Sequence, residues 1–276
     1  MGAISEMIRN LSNIELKTLY RGVFAVNKIK NNTSVEVLET IKEILLKSIV
    51  PAIESSTLKV GHGGTLDHTA TGVLVVGIGM GCKVLPKLLH GNKKYRVTGQ
   101  LGIATDTYNE VGEVIKECEF GHITREKLEQ GLRKFQGVIL QTPPLYSALK
   151  MKGKRIADLT RAGVSVKLNP RPVVCHSVKC MDFSPPYFSL EVHCGGGFYV
   201  RSLVNDLGML LGSSAHVQQL HRFQHGPFTE EDMLDSHEWT VDNILDAINK
   251  AKDKYGSYLK KRRTYVNNDF KCCSCR

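Results

Sequence analysis

The run Val73-Leu74-Val75-Val76-Gly77-Ile78 is the most apolar of the chain, and a glycine-rich segment leads into it. Continued to Met80, it is broken by Gly77 and Gly79 and falls far short of the ~20 residues a membrane-spanning helix needs. It reads as a strand held by packing. Immediately before it stands Gly61-His62-Gly63-Gly64-Thr65-Leu66-Asp67-His68-Thr69-Ala70-Thr71-Gly72. Three glycines within four positions let backbone approach backbone or ligand closely. Asp67 follows in the loop, braced by the strand behind it. By spacing alone the segment reads as a turn in which Asp67 makes an Asx bond. A P-loop is excluded because no Gly-Lys-Ser/Thr follows. A Rossmann fingerprint fails on its glycine spacing and on the lack of a helix directly after it.

Elsewhere helices and strands interleave without a strict βαβ rhythm. Val23 to Asn27 reads as a short strand. Thr33-Ser34-Val35-Glu36 fits a capping box, and Val35, Leu38, Ile41, Leu45 and Ile49 form a helical stripe closed by Pro51. Leu58 to Val60 is strand-like, Lys83 to Leu89 a short helix, and Tyr95 to Ile103 alternates as a strand. Arg125 to Phe135 reads as a helix, and Gly153 to Arg161 as a short basic one. Val173 to Phe183 and Phe188 to Cys194 are strands around Ser184-Pro185-Pro186. The clearest helical stripe is Val200, Leu203, Val204, Leu207, Leu210 and Leu211. Val217 to Phe223 returns as a strand, and Trp239 to Ala251 is the last helix. Several strand pairs are hairpin-linked, so the expected class is α+β with a central mixed, largely antiparallel sheet flanked by helices and loops.

The chain has 276 residues, 42% of them hydrophobic and 23% charged, which excludes wholesale disorder and allows a sizeable core. Its formal net charge of +10 suggests an acidic partner. The distribution tempers this, because residues 251–276 carry eight Lys/Arg against two Asp, leaving residues 1–250 only mildly basic. The tail, with Lys260-Lys261-Arg262-Arg263, reads as a solvated, disordered end, an RNA anchor or a nuclear address. Eight cysteines and no signal-like N-terminus point to reduced thiols. Cys272-Cys273-Ser274-Cys275 has no second pair to complete a zinc site, so no metal is expected. Gly2 lacks a hydroxyl residue in register for myristoylation, and the C-terminus is no prenylation box.

The glycine-rich segment resembles the signature of the TruB family of tRNA pseudouridine synthases, where a glycine-histidine opening leads to Leu-Asp and then Ala-x-Gly-Val-Leu. Further blocks follow in family order across residues 23–228. Lys93-Lys94-Tyr95-Arg96-Val97 resembles the tyrosine motif, and Leu101-Gly102-x-x-Thr105-Asp106-Thr107 follows it. Gln141-Thr142-Pro143-Pro144-Leu145-Tyr146-Ser147-Ala148-Leu149-Lys150 is another block. Gly196-Gly197-Phe198-Tyr199-Val200-Arg201-Ser202-Leu203 resembles the arginine motif, and Ala215-His216-Val217 with Leu220 and Arg222 closes the series. Gly63-Gly64 and Gln224-His225-Gly226-Pro227-Phe228 resemble the eukaryotic branch of the family, and the lack of strands for a PUA barrel after residue 228 resembles its animal members without that domain. The resemblance implies a catalytic domain over 21–250 and no PUA domain, leaving 1–20 as an N-terminal extension and, by composition, 251–276 as a basic, Cys-containing, disordered tail. Lys28-Ile29-Lys30-Asn31-Asn32-Thr33-Ser34 departs from the family's Lys-Pro-x-Gly-x-Thr-Ser, with Asn31 able to replace Gly at positive φ. His68 and His221 stand where many members have Pro and Arg.

The activity so implied is isomerisation of uridine to pseudouridine, at position 55 in the TΨC arm of tRNA and in similar stem-loops of other RNAs such as mRNA. It needs no cofactor, since no atoms are gained or lost. By resemblance Asp67 is the catalytic nucleophile. Arg201 is the bidentate cation that holds it ionised and oriented. Tyr95 stacks on the target base or takes the proton from carbon 5. His62, Gly64, Thr65, Leu66, Tyr199, Leu220, Lys28 and Arg222 bind substrate. The target nucleotide must flip out of a folded RNA arm. Lys83, Lys93, Lys94, Arg96, Lys150, Lys152, Lys154 and Arg155 are candidate phosphate contacts. The expected partner is RNA, not membrane, with the protein a monomer in nucleus and cytoplasm. The alternative is an RNA-binding or RNA-folding chaperone whose catalysis is secondary or lost.

Overall fold

The computed structural model describes residues 11–49, 58–151 and 153–260. In chain order its first half comprises α1 (Asn13–Tyr20), β1 (Val23–Lys28), α2 (Ser34–Ile49), β2 (Val60–His62), β3 (Thr71–Ile78), α3 (Leu85–His90), β4 (Lys93–Leu101), β5 (Ile103–Thr105), β6 (Val114–Glu117) and α4 (Arg125–Leu132). The second half comprises β7 (Gly137–Gln141), β8 (Lys150–Met151), β9 (Lys154–Arg155), α5 (Ile156–Arg161), β10 (Arg171–Ser184), β11 (Tyr187–Cys194), α6 (Val200–Leu210), β12 (Ala215–His225), β13 (Phe228–Thr229), β14 (Met233–Leu234) and α7 (Val241–Leu259). A ten-stranded sheet runs β14-β1-β3-β12-β4-β11-β10-β7, with β2 added to β3 and β13 to β12. Only the β1–β14 and β3–β12 pairs of this sheet are parallel. The class is α+β with a mixed, largely antiparallel sheet.

The apolar run lands in the middle of this sheet, as β3, buried from Gly72 to Ile78. Its period of two splits the residues between cores. Leu74, Val76 and Ile78 join Phe24 and Val26 of β1 under Val37, Ile41 and Leu45 of α2 and Ile244 and Ile248 of α7. Val73 and Val75 face the other way, with Val23, Ala25, Leu88 and Phe228. A third cluster gathers β4, β10, β11 and β12 beneath Val200, Leu203, Val204 and Leu207 of α6. Leu66 and Ala70 belong to that third cluster, so the loop carrying Asp67 is pinned on both sides of it. Gly72 has φ +102°, and a Cβ there would collide with the Arg222 carbonyl where β3 and β12 pair. Only glycine allows that close parallel approach.

Several elements differ from the sequence expectation. The helix read at Gly153 to Arg161 begins at Ile156. Gly153, at φ +83°, turns the β8–β9 hairpin instead. The last helix runs from Val241 to Leu259 behind a Thr240 N-cap, and Ala251, Tyr255, Tyr258 and Leu259 pack into the core around Phe228. The tail boundary drawn at 251 therefore cuts through a packed helix, while residues 261–276 lie outside the described residues. The extension drawn over 1–20 contains α1, capped by a Ser12–Glu15 capping box and buried at Leu19 against the α2–α7 core. Pro51 and Lys152 lie outside the described residues. Cys82, Cys118, Cys175, Cys180 and Cys194 are free thiols. No described helix is long and apolar enough to cross a membrane.

Candidate active site

A cleft of about 410 Å³ opens where the Asp67 loop, the β4–β12 pair and the start of α6 meet. Asp67 comes from the loop between β2 and β3. The Asx alternative fails, because the turn is closed by backbone (Ala70 N to Asp67 O, 3.1 Å) and the side chain is turned elsewhere. Its carboxylate accepts from Arg201 Nε at 2.7 Å and from Arg201 Nη2 at 2.9 Å, a bidentate pair across 134 residues of sequence. The side chains are 33% exposed for Asp67 and 5% for Arg201, so the arginine is sunk and the carboxylate faces the opening. Arg201 sits in the first turn of α6, whose apolar stripe packs away from it. Its remaining reach goes to the Thr107 and Tyr146 carbonyls, both at 2.9 Å. Every nitrogen of the guanidinium is committed, which leaves the group one orientation.

Two model matches bear on this geometry. A family model described as TruB family pseudouridylate synthase (N terminal domain) matches residues 52–200, and one described as tRNA pseudouridylate synthase B C-terminal domain matches residues 201–262. The chain belongs to the TruB family of pseudouridylate synthases. Pseudouridylate synthase TRUB1 of Homo sapiens is 45% identical over 262 residues, covering 92% of this chain and 75% of that protein. tRNA pseudouridine synthase B of Clostridium tetani is 35% identical over 237 residues, covering 86% and 78%. A crystal structure of a Cbf5-Nop10-Gar1 complex contains a chain 27% identical to this one, at a TM-score of 0.62, over 88% of this chain and 58% of that one. The protein is thus an isomerase of the pseudouridine synthase kind.

Of the residues this TruB-family chain was expected to use, the cleft is lined by Gly64, Thr65, Leu66, Asp67, Tyr95, Tyr199, Arg201, Leu220 and Arg222. Lys28 and His62 are not among its lining. Lys28 is fully buried, and its ammonium donates to the carbonyls of Ile29, His68 and Ala70. It ties the Asp67 loop to β1. Burial, with Arg222 adding to it and Asp67 opposing, lowers its pKa to about 8. Arg222 is 1% exposed and gives its guanidinium to the carbonyls of Val73, Thr65 and Gly64. It borders the cleft, but its hydrogen bonds hold the loop.

Lys93, expected at a phosphate, borders the cleft but is buried, and its ammonium caps the Leu88, Leu89 and Gly91 carbonyls at the end of α3. Burial, with Arg222 adding to it, lowers its pKa to about 8. Arg96 is paired with Glu230 at 3.1 Å. Lys83, Lys150, Lys154 and Arg155 remain exposed, the last three on the β8–β9 hairpin. His62 Nδ1 accepts from Gly64 N at 3.3 Å, and burial, then Arg222 and Arg155, lowers its pKa.

Tyr95 stands on β4 beside Val192 and Arg222, and burial pushes its phenol up while Arg222 pulls the other way. Tyr199 is likewise raised by burial first. In both the shift favours the neutral phenol. Three residues were missed. Gln141 clamps the Tyr199 backbone through both amide atoms, accepting from its N–H at 2.8 Å and donating to its carbonyl at 3.0 Å. His225, buried and held well below its usual pKa by burial and Arg222, packs against Gly63 and Gly64. Ser147 lines the cleft. All three lie in quoted sequence blocks, but nothing in a one-dimensional pattern shows a side chain facing another block. Among the described residues no group of three or more His, Cys, Asp or Glu side chains is placed to hold a metal.

Proposed function

We propose that the protein isomerises uridine to pseudouridine in RNA, at position 55 in the TΨC arm of tRNA and in stem-loops of other RNAs, mRNA included, that present the same shape, with Asp67 as the nucleophile. The observation that carries this reading is the Asp67 carboxylate held at the cleft opening by both forks of Arg201. Among the described residues Asp67 is the only carboxylate lining the cleft. The reaction breaks the N1–C1′ bond, turns the base and forms a C5–C1′ bond, while carbon 5 gives up its proton and N1 gains one. Asp67 can attack the nucleotide and, once released, take the carbon 5 proton. Tyr95 and Leu220 offer flat apolar surface to a flipped base, which offsets the roughly few kcal/mol of unstacking. The exposed Lys150, Lys154 and Arg155 give the hairpin positive charge for phosphates.

The test is tritium release from a TΨC-arm transcript labelled at carbon 5 of its uridines. Wild type should release tritium stoichiometrically with the target uridine, and Asp67→Asn should release none while still binding the RNA. Tight binding without release by wild type would sink the enzyme reading and leave an RNA-folding role in its place.

A further inference from the structure

One polar atom of the cleft has no partner. Ser147 is 5% exposed, and its buried Oγ makes no hydrogen bond. It lies near the Tyr199 phenol, whose acidity it raises, without a bond of ordinary geometry. Buried hydroxyls are nearly always satisfied, and an exception calls for a reason. Looseness is not the reason here. Ser147 N donates to Leu145 O at 3.0 Å, and the neighbouring Tyr146 carbonyl accepts from Arg201 at 2.9 Å. Farther back, Ser202 Oγ donates to the Thr142 carbonyl at 2.8 Å, next to the Gln141 clamp. The segment that carries Ser147 is therefore laced to the start of α6, and the hydroxyl is held in the same frame as the Asp67–Arg201 pair.

We infer that the Ser147 hydroxyl contacts the target base, donating a hydrogen bond to a carbonyl oxygen of the uracil. The inference rests on the reading that a uridine enters this cleft. Depth decides which part of the nucleotide meets the hydroxyl. The ribose of an internal nucleotide carries a phosphodiester on either side, and those charges stay with solvent and surface cations. The base carries none and enters deepest. Asp67 is one-third exposed and stands where the sugar must be, whereas Ser147 is nearly covered. Leu66, Val200 and Leu220 also line the cleft, so a uracil carbonyl set against them would lose its water without replacement. A hydroxyl supplies a donor there. The chemistry adds a further fit. When the free uracil turns about its N3–C6 axis, O4 takes the place of O2. A donor at that place meets a carbonyl oxygen both before and after the turn.

The experiment compares wild type, Ser147→Ala and Ser147→Thr on transcripts with uridine, 2-thiouridine or 4-thiouridine at the target position, reading kcat and KM by tritium release and Tm for each variant. Sulfur is the poorer acceptor. On the uridine RNA, Ser147→Ala should lower kcat/KM by about three- to tenfold, the worth of one neutral hydrogen bond. Ser147→Thr should recover part of that loss. The Ala-to-wild-type ratio should return toward one on the RNA whose sulfur replaces the contacted oxygen. No loss on uridine, or the same loss on all three RNAs, overturns the inference, and a fall in Tm with no dependence on sulfur assigns Ser147 a structural part instead. Absence of tritium release by wild type on the uridine RNA overturns the enzyme reading, which separates the two failures.

Discussion

Arg201 and Arg222 border the same cleft, are almost equally buried, and use their charge in opposite ways. Arg201 meets a carboxylate through Nε and Nη2, and Nη1 and Nη2 also reach the carbonyls of Thr107 and Tyr146. Arg222 meets carbonyls of Gly64, Thr65 and Val73. The first charge is cancelled on the spot, and what it leaves is a carboxylate in a fixed direction. The second is answered only by dipoles, so its field reaches further. It helps lower the pKa of Lys28, His62, Lys93 and His225, and it opposes the rise at Tyr95. The contrast separates a cation that fixes a carboxylate from cations that hold backbone carbonyls in place. Lys28 and Lys93 belong with Arg222, since their ammonium groups also end on carbonyls. Carbonyls with no strand partner would be costly inside the protein, and these side chains satisfy them.

The contrast breaks most visibly at Asp67. Asp67→Asn keeps the shape of the side chain and should lower tritium release by more than about 10⁴-fold, as removal of a nucleophile does. RNA affinity should change little. Arg201→Lys preserves the charge but loses the fork. It should cost about a hundredfold in kcat, because a point cation cannot fix both carboxylate oxygens. Arg222→Met should act in the other register. It strips the partners from Val73, Thr65 and Gly64 and should remove about 2 kcal/mol of stability by chemical denaturation. Its kcat at a temperature where it stays folded should fall less than that of Arg201→Lys. The reverse order would mean that Arg222 touches the reacting nucleotide.

How much of this could be read from the chain depended on whether the signal was periodic. β3, α2 and α6 announce themselves by runs and stripes long enough to show a period, and the structure has all three. α1 has eight residues, too few to show a period, and its one signal is the Ser12–Glu15 capping box. The end of α7 was hidden because Lys252, Asp253 and Lys254 stand between Ala251 and Tyr255, so a packed face read as tail. The site was legible as residue types, through the resemblance of its motifs. Its bonding was not. A lysine or arginine in a motif reads as a hand held out to substrate. Whether it reaches outward or folds back on a carbonyl depends on burial, which is set by strands far away in sequence. Lys28, Lys93 and Arg222 end on carbonyls, a bonding no motif shows, whereas Arg201 ends on the carboxylate that the resemblance had assigned to it.

The smallest effect tests the same contrast through pH. Lys28 has a folded pKa of about 8 against an ordinary 10.5. Below pH 8 the folded and unfolded chains both hold the proton, and Lys28 adds no slope to stability. Between about 8 and 10.5 the unfolded chain keeps a proton that the folded chain has lost, so this contribution makes stability rise with pH. Lys28→Met lacks it. At pH 7 the variant should be only about 1 kcal/mol less stable, since losing three carbonyl partners is partly offset by no longer burying an ammonium. The gap between wild type and variant should then widen from pH 8 upward in parallel denaturant titrations, whatever the thiols and phenols add, because both proteins share those. A gap that stays constant to pH 10 would mean that Lys28 keeps an ordinary pKa, and that the carbonyls around it match its charge as fully as Asp67 matches that of Arg201.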